Sequence, residues 1–169
     1  NPKPLVIKTK CDFFTVDNIG NIYTVKEDEL VKYLPSGKFF ARYSNLRLGS
    51  IASIDATNPL KLLIYYRDFQ QLVFLDNQLS TNSDAVSLEA LGYEQTDLAC
   101  AGANNSFWIY NKQNNELLRF NENSKKICST GNLKQILRTD LNPNFISGKD
   151  TAGDRRDDRR GSFEDRRGG

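Results

Sequence analysis

From Cys11 to Thr130 apolar and polar positions alternate over short runs, and almost nowhere do they recur at helical spacing. The runs are rich in β-branched and aromatic residues and are separated by Asn, Asp, Gly and Ser. The pattern therefore predicts strands joined by tight turns. In the first stretch Phe13–Val16, Ile22–Val25, Leu30–Leu34 and Phe39–Tyr43 are strand-sized, and Asp17–Gly20, Lys26–Asp28 and Pro35–Gly37 are the turns between them. The last of these suits a tight turn because proline presets φ near about −65° and glycine tolerates positive φ. One segment breaks the rule: in Asn132–Arg138, Leu133, Ile136 and Leu137 stand at i, i+3 and i+4 and predict a short helix.

Three segments superpose on one another: GNIYTVKEDELVKYLPSGKFFARY (20–43), LLIYYRDFQQLVFLDNQLS (62–80) and FWIYNKQNNELLRFNENSKKICST (107–130). In each, an Ile-Tyr pair is followed eight residues after the Ile by Leu, and three residues further on by an apolar or aromatic residue. The anchors are Ile22, Leu30 and Tyr33, then Ile64, Leu72 and Leu75, then Ile109, Leu117 and Phe120. Ile22 and Ile64 are 42 residues apart and Ile64 and Ile109 are 45, a period that fits one four-stranded blade of a propeller repeated. The expected fold is all-β: about three four-stranded antiparallel blades of an incomplete β-propeller, near 11–45, 51–91 and 97–130 within a region 1–146. Ile22, Ile64 and Ile109 should then occupy equivalent strands.

The segment D-x-x-GNIY…ELVKY-x-PSGK resembles the six-bladed NHL/TolB-like β-propeller superfamily. The stretch from Lys8 to Phe145, with TNPLKLLIYYRDFQQLVFLDNQL at its centre, resembles small propeller proteins of Bacteroidetes cell envelopes. The blade repeat, with no assembled active site, points to a noncatalytic binding or scaffold module, and the resemblance implies the periplasm or cell envelope as its setting. It implies as an alternative the remnant of a calcium-dependent, lactonase-like hydrolase, whose calcium ligands would come from Asp17, Asn18, Asp55, Asn58 and Asn104. The chain departs from the family in blade number, since a closed propeller uses about 4–8 blades and only three can be counted. Three blades leave outer sheet faces and strand edges uncovered, so a protein partner or missing blades are expected to cover them. The candidates are a second copy in a two-fold, six-bladed assembly, another chain, or nothing, in which case a fragment aggregates.

Composition changes the picture after Phe145. Residues 147–169 form a charged tail, and Asp154–Gly169 holds six Arg, five Asp or Glu and one large apolar residue, Phe163. That predicts a solvated, disordered segment, with a non-native or frameshift-derived ending and an Arg-rich RNA contact as alternatives. Net charge is only +2, so nucleic acid is not the expected partner. The absence of histidine removes Ser-His-Asp and Cys-His catalysis and the usual zinc sites. Mean hydropathy is −0.56 and apolar runs such as Leu72–Leu75 are short, so no membrane span is expected. The chain opens Asn1-Pro-Lys-Pro without methionine, which reads as a processed or trimmed product. Cys11, Cys100 and Cys128 form no C-x-x-C pair; they read as small buried strand residues, with one disulfide and one spare thiol as the alternative and the pairing open.

No catalytic constellation emerges. Glu27, Asp28 and Glu29 fall in a predicted hairpin and read as a solvated turn rather than an acid/base pair. The stretch Asp17-Asn18-Ile19-Gly20-Asn21 offers oxygen donors to calcium but lacks the spacing and terminal Glu of a known loop. Asn104-Asn105 stands at the equivalent place in the third unit, which favours a repeated turn, and no cofactor is expected beyond that weak case for calcium. Trp108, the sole tryptophan, reads first as a core or inter-blade anchor. With Tyr110 and Tyr65 it is also the candidate platform for a sugar or peptide. If its indole is buried between blades, Trp108→Ala should cost about 3–5 kcal/mol.

Overall fold

The computed structural model describes residues 3–148, so the expectations for the tail beyond Gly148 lie outside the described residues. Three four-stranded antiparallel sheets follow one another along the chain, each a meander with its strands in sequence order. The first comprises β1 (Phe13–Val16), β2 (Ile22–Lys26), β3 (Glu29–Tyr33) and β4 (Phe39–Ser44). The second comprises β5 (Ser53–Asp55), β6 (Leu62–Tyr66), β7 (Gln71–Leu75) and β8 (Val86–Ser87). The third comprises β9 (Thr96–Ala101), β10 (Phe107–Asn111), β11 (Glu116–Phe120) and β12 (Lys126–Ser129). A 3-10 turn at Leu46–Leu48 joins the first two sheets, and the predicted helix is present as α1 (Leu133–Leu137). Its N-cap is Asn132, whose side chain accepts the Gln135 N–H, and Arg138 ends it in the left-handed region.

Ile22, Ile64 and Ile109 do occupy equivalent strands, the second of each sheet. Strand alternation turns that equivalence into a packing rule, because neighbours along a strand face opposite ways. Tyr23, Val25 and Leu30 of the first sheet pack against Leu62, Ile64, Tyr66 and Leu75 of the second. Leu63, Tyr65 and Leu72 of the second pack against Phe107, Ile109 and Phe120 of the third. Each Ile therefore faces back along the chain and each following Tyr faces forward. All five positions of β6 are buried, since its sheet is covered on both faces.

The first repeat differs in one detail. Its β2–β3 hairpin has a two-residue loop, Glu27–Asp28, with Glu27 at φ 54°, whereas the corresponding loops of the other sheets run over 67–70 and 112–115. Ile22 consequently pairs with Tyr33, while Ile64 and Ile109 pair with Val73 and Leu118. A shift of two residues along a strand preserves the face, so the core pattern survives.

One turn geometry recurs between strands. At Asp17, Leu34, Asp76 and Asn121 the residue's N–H donates to the carbonyl four residues on, and its carbonyl accepts from the N–H three residues on. The third residue along takes positive φ: Gly20 at 89°, Gly37 at 82°, Leu79 at 60° and Ser124 at 61°. Asp17, Asp76 and Asn121 add a side-chain oxygen that accepts the N–H groups two and four residues on. These residues are placed by turn chemistry.

The cysteines correct the sequence reading. Only Cys100, in β9, is buried; Cys128 lies on β12, the exposed outer edge strand, and Cys11 lies exposed ahead of β1, all three as free thiols. Among the described residues no helix is long and apolar enough to cross a membrane.

Candidate functional site

The first strand of each sheet is an edge strand, and β1, β5 and β9 converge on one open groove of about 420 Å3. Thr15, Val16 and Asn18 line it from the first sheet, Ala52–Thr57 from the second and Leu98 and Ala99 from the third. Arg67 adds to the wall, and Asn144–Ser147 of the C-terminal stretch lie in the same groove. Asp55 ties two of the edges together. Its Oδ2 accepts the Ala101 N–H at 2.9 Å and its Oδ1 accepts the Thr57 N–H at 2.9 Å.

A second cavity of about 350 Å3 opens between the β5–β6 and β9–β10 loops, lined by Asn58, Lys61, Asn104 and Ser106 among others. The Lys61 ammonium sits 4.8 Å from the centre of the Phe74 ring. Asn104 and Asn105 both take positive φ, 55° and 58°, at the centre of a turn closed by the Ser106 N–H on the Ala103 carbonyl.

The proposed calcium ligands are thereby divided. Asn18 and Asp55 line the groove, Asn58 and Asn104 line the second cavity, and Asp17 turns into its own loop. Asp17 is only 6% exposed. Its carboxylate accepts from the Ile19 and Asn21 N–H groups, the Asn21 side-chain amide and the Tyr23 hydroxyl. Among the described residues no three His, Cys, Asp or Glu side chains gather where a metal would sit. Calcium needs six to eight oxygens about 2.3–2.6 Å away, and the five candidates line different places.

Burial pushes the Asp17 pKa up, but the hydrogen bonds from Asn21, Tyr23 and Ile19 outweigh burial and hold it below its ordinary value of 3.8. Because the folded pKa is the depressed one, the stabilisation is present above pH 3.8 and is lost as pH falls through the folded value. Asp17→Asn replaces one acceptor oxygen by a donor facing the Tyr23 hydroxyl and Asn21 amide. We expect a loss of about 1–2 kcal/mol at neutral pH, shrinking on acidification, and identical melting curves in calcium and in chelator. A calcium-dependent rise in melting temperature that disappears in Asp17→Asn would restore the metal assignment.

The aromatic candidates separate in the same way. Tyr65 is fully buried; its hydroxyl donates to the Thr96 carbonyl and accepts from the Gln70 amide, so it is core packing and offers no face to a ligand. Tyr110 is 3% exposed and donates to the Asn115 Oδ1 at 3.0 Å. Trp108 is half-buried on the forward face of the third sheet, where no further sheet of the described residues covers it. Among the described residues it therefore does not pack between two blades. Its ring lines a cavity of about 250 Å3 with Leu117, Arg119 and Ile146–Gly148, the Arg119 guanidinium lying 5.7 Å from the ring centre. With one side open, Trp108→Ala is expected to cost about 1–2 kcal/mol in a denaturant titration, below the usual range for a fully buried aromatic. Beside it, burial pushes the Cys100 thiol up to about 12, so it carries no thiolate at neutral pH.

Two buried polar side chains escape the sequence reading. Lys32 in β3 is 4% exposed, and its ammonium donates to the Asn77 carbonyl of the second sheet at 2.6 Å, with the Phe40 ring 4.8 Å away. Burial lowers its pKa, and the negative charges of Asp17 and Asp76 partly restore it. Part of the signal is present in sequence, since Lys32 shares the parity of Leu30 and so the core face. Gln70, 7% exposed in the β6–β7 loop, joins the second sheet to Thr96 of the third. A single Gln in a loop carries no pattern that announces this.

No protein-family description matches the chain, and no curated protein does. Solved structures do. Streptogramin B lyase is similar with a TM-score of 0.55 and 14% identity, over 81% of this chain and 44% of that one. YCF48 bound to D1 peptide is similar with a TM-score of 0.52 and 8% identity, over 76% and 42%. The Pan2 WD40 domain of Neurospora crassa follows at 0.50 and 8%, over 71% and 37%. The three sheets are consecutive blades of a β-propeller, and the chain spans less than half the length of each of these structures. At such identities the likeness concerns fold alone.

Proposed function

We propose that the chain is a noncatalytic binding or scaffold module whose three inner edge strands hold an extended protein segment. One observation carries this reading: β1, β5 and β9 converge on a groove that already accommodates a stretch of irregular chain, Asn144–Ser147. Edge strands present backbone N–H and C=O groups, which grip an extended segment whatever its sequence, while side chains such as Asn18, Ser53 and Arg67 supply selectivity. That a structural relative, YCF48, is found bound to D1 peptide supports the reading. A bacterial cell-envelope setting and membership of the six-bladed NHL/TolB-like group rest on the sequence resemblance.

Panning a displayed library of short peptides against the chain tests it. Enriched peptides are expected to bind the free chain and to lose binding in Ser53→Trp, whose indole fills the groove, while the melting curve of that variant stays close to the parent. No enrichment, or binding indifferent to Ser53→Trp, would overturn the proposal.

A further inference from the structure

Two lysines reach toward the seams between blades, and they end differently. Lys32 of β3 has its ammonium 4.8 Å from the centre of the Phe40 ring and donates across the first seam to the Asn77 carbonyl at 2.6 Å. That seam is closed. Lys61 stands one residue ahead of β6 and shares the parity of Leu63 and Tyr65, which face the third blade. Its ammonium lies 4.8 Å from the centre of the Phe74 ring, and across the second seam it meets the cavity of about 350 Å3 instead of a carbonyl.

Nothing among the described residues answers that charge. The ion pairs there are Arg42–Glu29, Arg67–Asp97 and Lys134–Asp140. Lys61 is also the one charged residue among those lining the cavity. Asp84 and Glu122 line only an adjoining outer space, which has Lys61, Phe74 and Asn105 in common with it. Asp55 lies behind the wall and spends its oxygens on the Ala101 and Thr57 N–H groups. Amides complete the polar lining. Asn58 turns its Oδ1 to the Leu60 N–H at 3.0 Å, which leaves its amide hydrogens uncommitted. Asn105 is held at φ 58° in its turn, and its carboxamide has no partner among the described residues.

We propose that this cavity binds a small polyhydroxy carboxylate, of the sugar-acid type, with Lys61 on the carboxylate and Asn58 and Asn105 on the hydroxyls. A half-buried ammonium with no acid beside it selects an anion, and the hydrogen bonds it makes to a carboxylate are of the stronger, charge-assisted kind. Carboxamides both donate and accept, as hydroxyls do, so they match a hydroxylated body and are left unpaired by an apolar one. The volume falls at the lower end of the range of about 300–1,000 Å3 usual for small-molecule sites. The cavity has only Thr57 in common with the inner groove, so this site stands or falls apart from peptide binding.

Titration of the full chain with sodium D-glucuronate at constant ionic strength, followed by amide NMR shifts, is expected to saturate with a Kd of about 1 mM. The shifts should centre on Asn58, Lys61 and Asn105. D-glucose, which lacks the charge, and acetate, which lacks the hydroxyls, should each bind about tenfold more weakly or less. Lys61→Met keeps an unbranched stem over Phe74 and removes the charge; it should weaken glucuronate about tenfold or more. Asn105→Gly removes the amide and leaves a residue that adopts positive φ freely, so it should fold and weaken binding about threefold or more. That variant decides the matter if Lys61→Met fails to fold. Ser53→Trp, in the groove, should leave glucuronate affinity unchanged. Absence of saturation, acetate or inorganic phosphate binding as tightly as glucuronate, or full affinity in a folded Lys61→Met or Asn105→Gly would each overturn the proposal.

Discussion

Phe107→Ala is expected to lower the free energy of unfolding by about 3–5 kcal/mol, more than truncation of the half-open Trp108. Phe107 opens β10 and is 1% exposed between the second and third blades. Its ring stacks on Phe120 with centroids 5.2 Å apart and an interplanar angle of 11°. Phe74 of the second blade leans on it at 6.0 Å and 53°. The hole left by truncation cannot close easily, because Tyr93 holds Phe120 edge-on at 5.6 Å. Lost transfer energy and a persistent cavity therefore add. A urea titration followed by circular dichroism should show a lower midpoint at nearly constant slope. Phe14→Ala, on an exposed ring of the same type, should shift the monomer's stability by no more than about 0.5 kcal/mol. Equal costs for the two would mean that the blade interface does not hold the fold together.

The local part of this architecture is legible in the sequence. Alternation locates the strands, the 42- and 45-residue spacing of Ile22, Ile64 and Ile109 places them in equivalent strands, and i, i+3, i+4 spacing places α1. Those signals depend on neighbours in sequence. Alternation does not say which side of a strand is covered, and that is why Trp108 reads as an inter-blade anchor although no further sheet of the described residues covers its side of β10. Tyr65 shows the converse: an aromatic that composition offers to a ligand is enclosed because sheets lie on both sides of β6. Asp17 is legible as a turn residue, yet its consumption by four donors depends on Tyr23 and Asn21 folding back onto it. The groove itself arises from three strands separated by about forty residues each, as one expects of a repeat whose inner strands converge.

Gln70→Leu is expected to cost about 2–4 kcal/mol although it retains side-chain volume. The residue sits at φ 51°, outside any strand, and its amide nitrogen reaches the Tyr65 hydroxyl at 3.0 Å, the Arg67 carbonyl at 2.8 Å and the Thr96 carbonyl at 2.9 Å. Its amide oxygen accepts the Thr96 N–H at 2.8 Å. The side chain thus answers both backbone groups of the residue that starts the third blade, at a buried seam where water is not at hand. Leucine leaves the Thr96 N–H without its acceptor, and the Tyr65 hydroxyl, itself a donor to the Thr96 carbonyl, covers only the other half of the loss. Since the seam joins two blades, the effect should concentrate there: amide exchange at Thr96 and along β9 should accelerate more than exchange in β2 and β3. A double-mutant cycle with Tyr65→Phe should give a coupling of about 0.5–3 kcal/mol, because the two side chains share the Thr96 carbonyl. Additive effects, or exchange that accelerates evenly across all three blades, would show that Gln70 acts through its own loop and not as the tie between the second blade and the third.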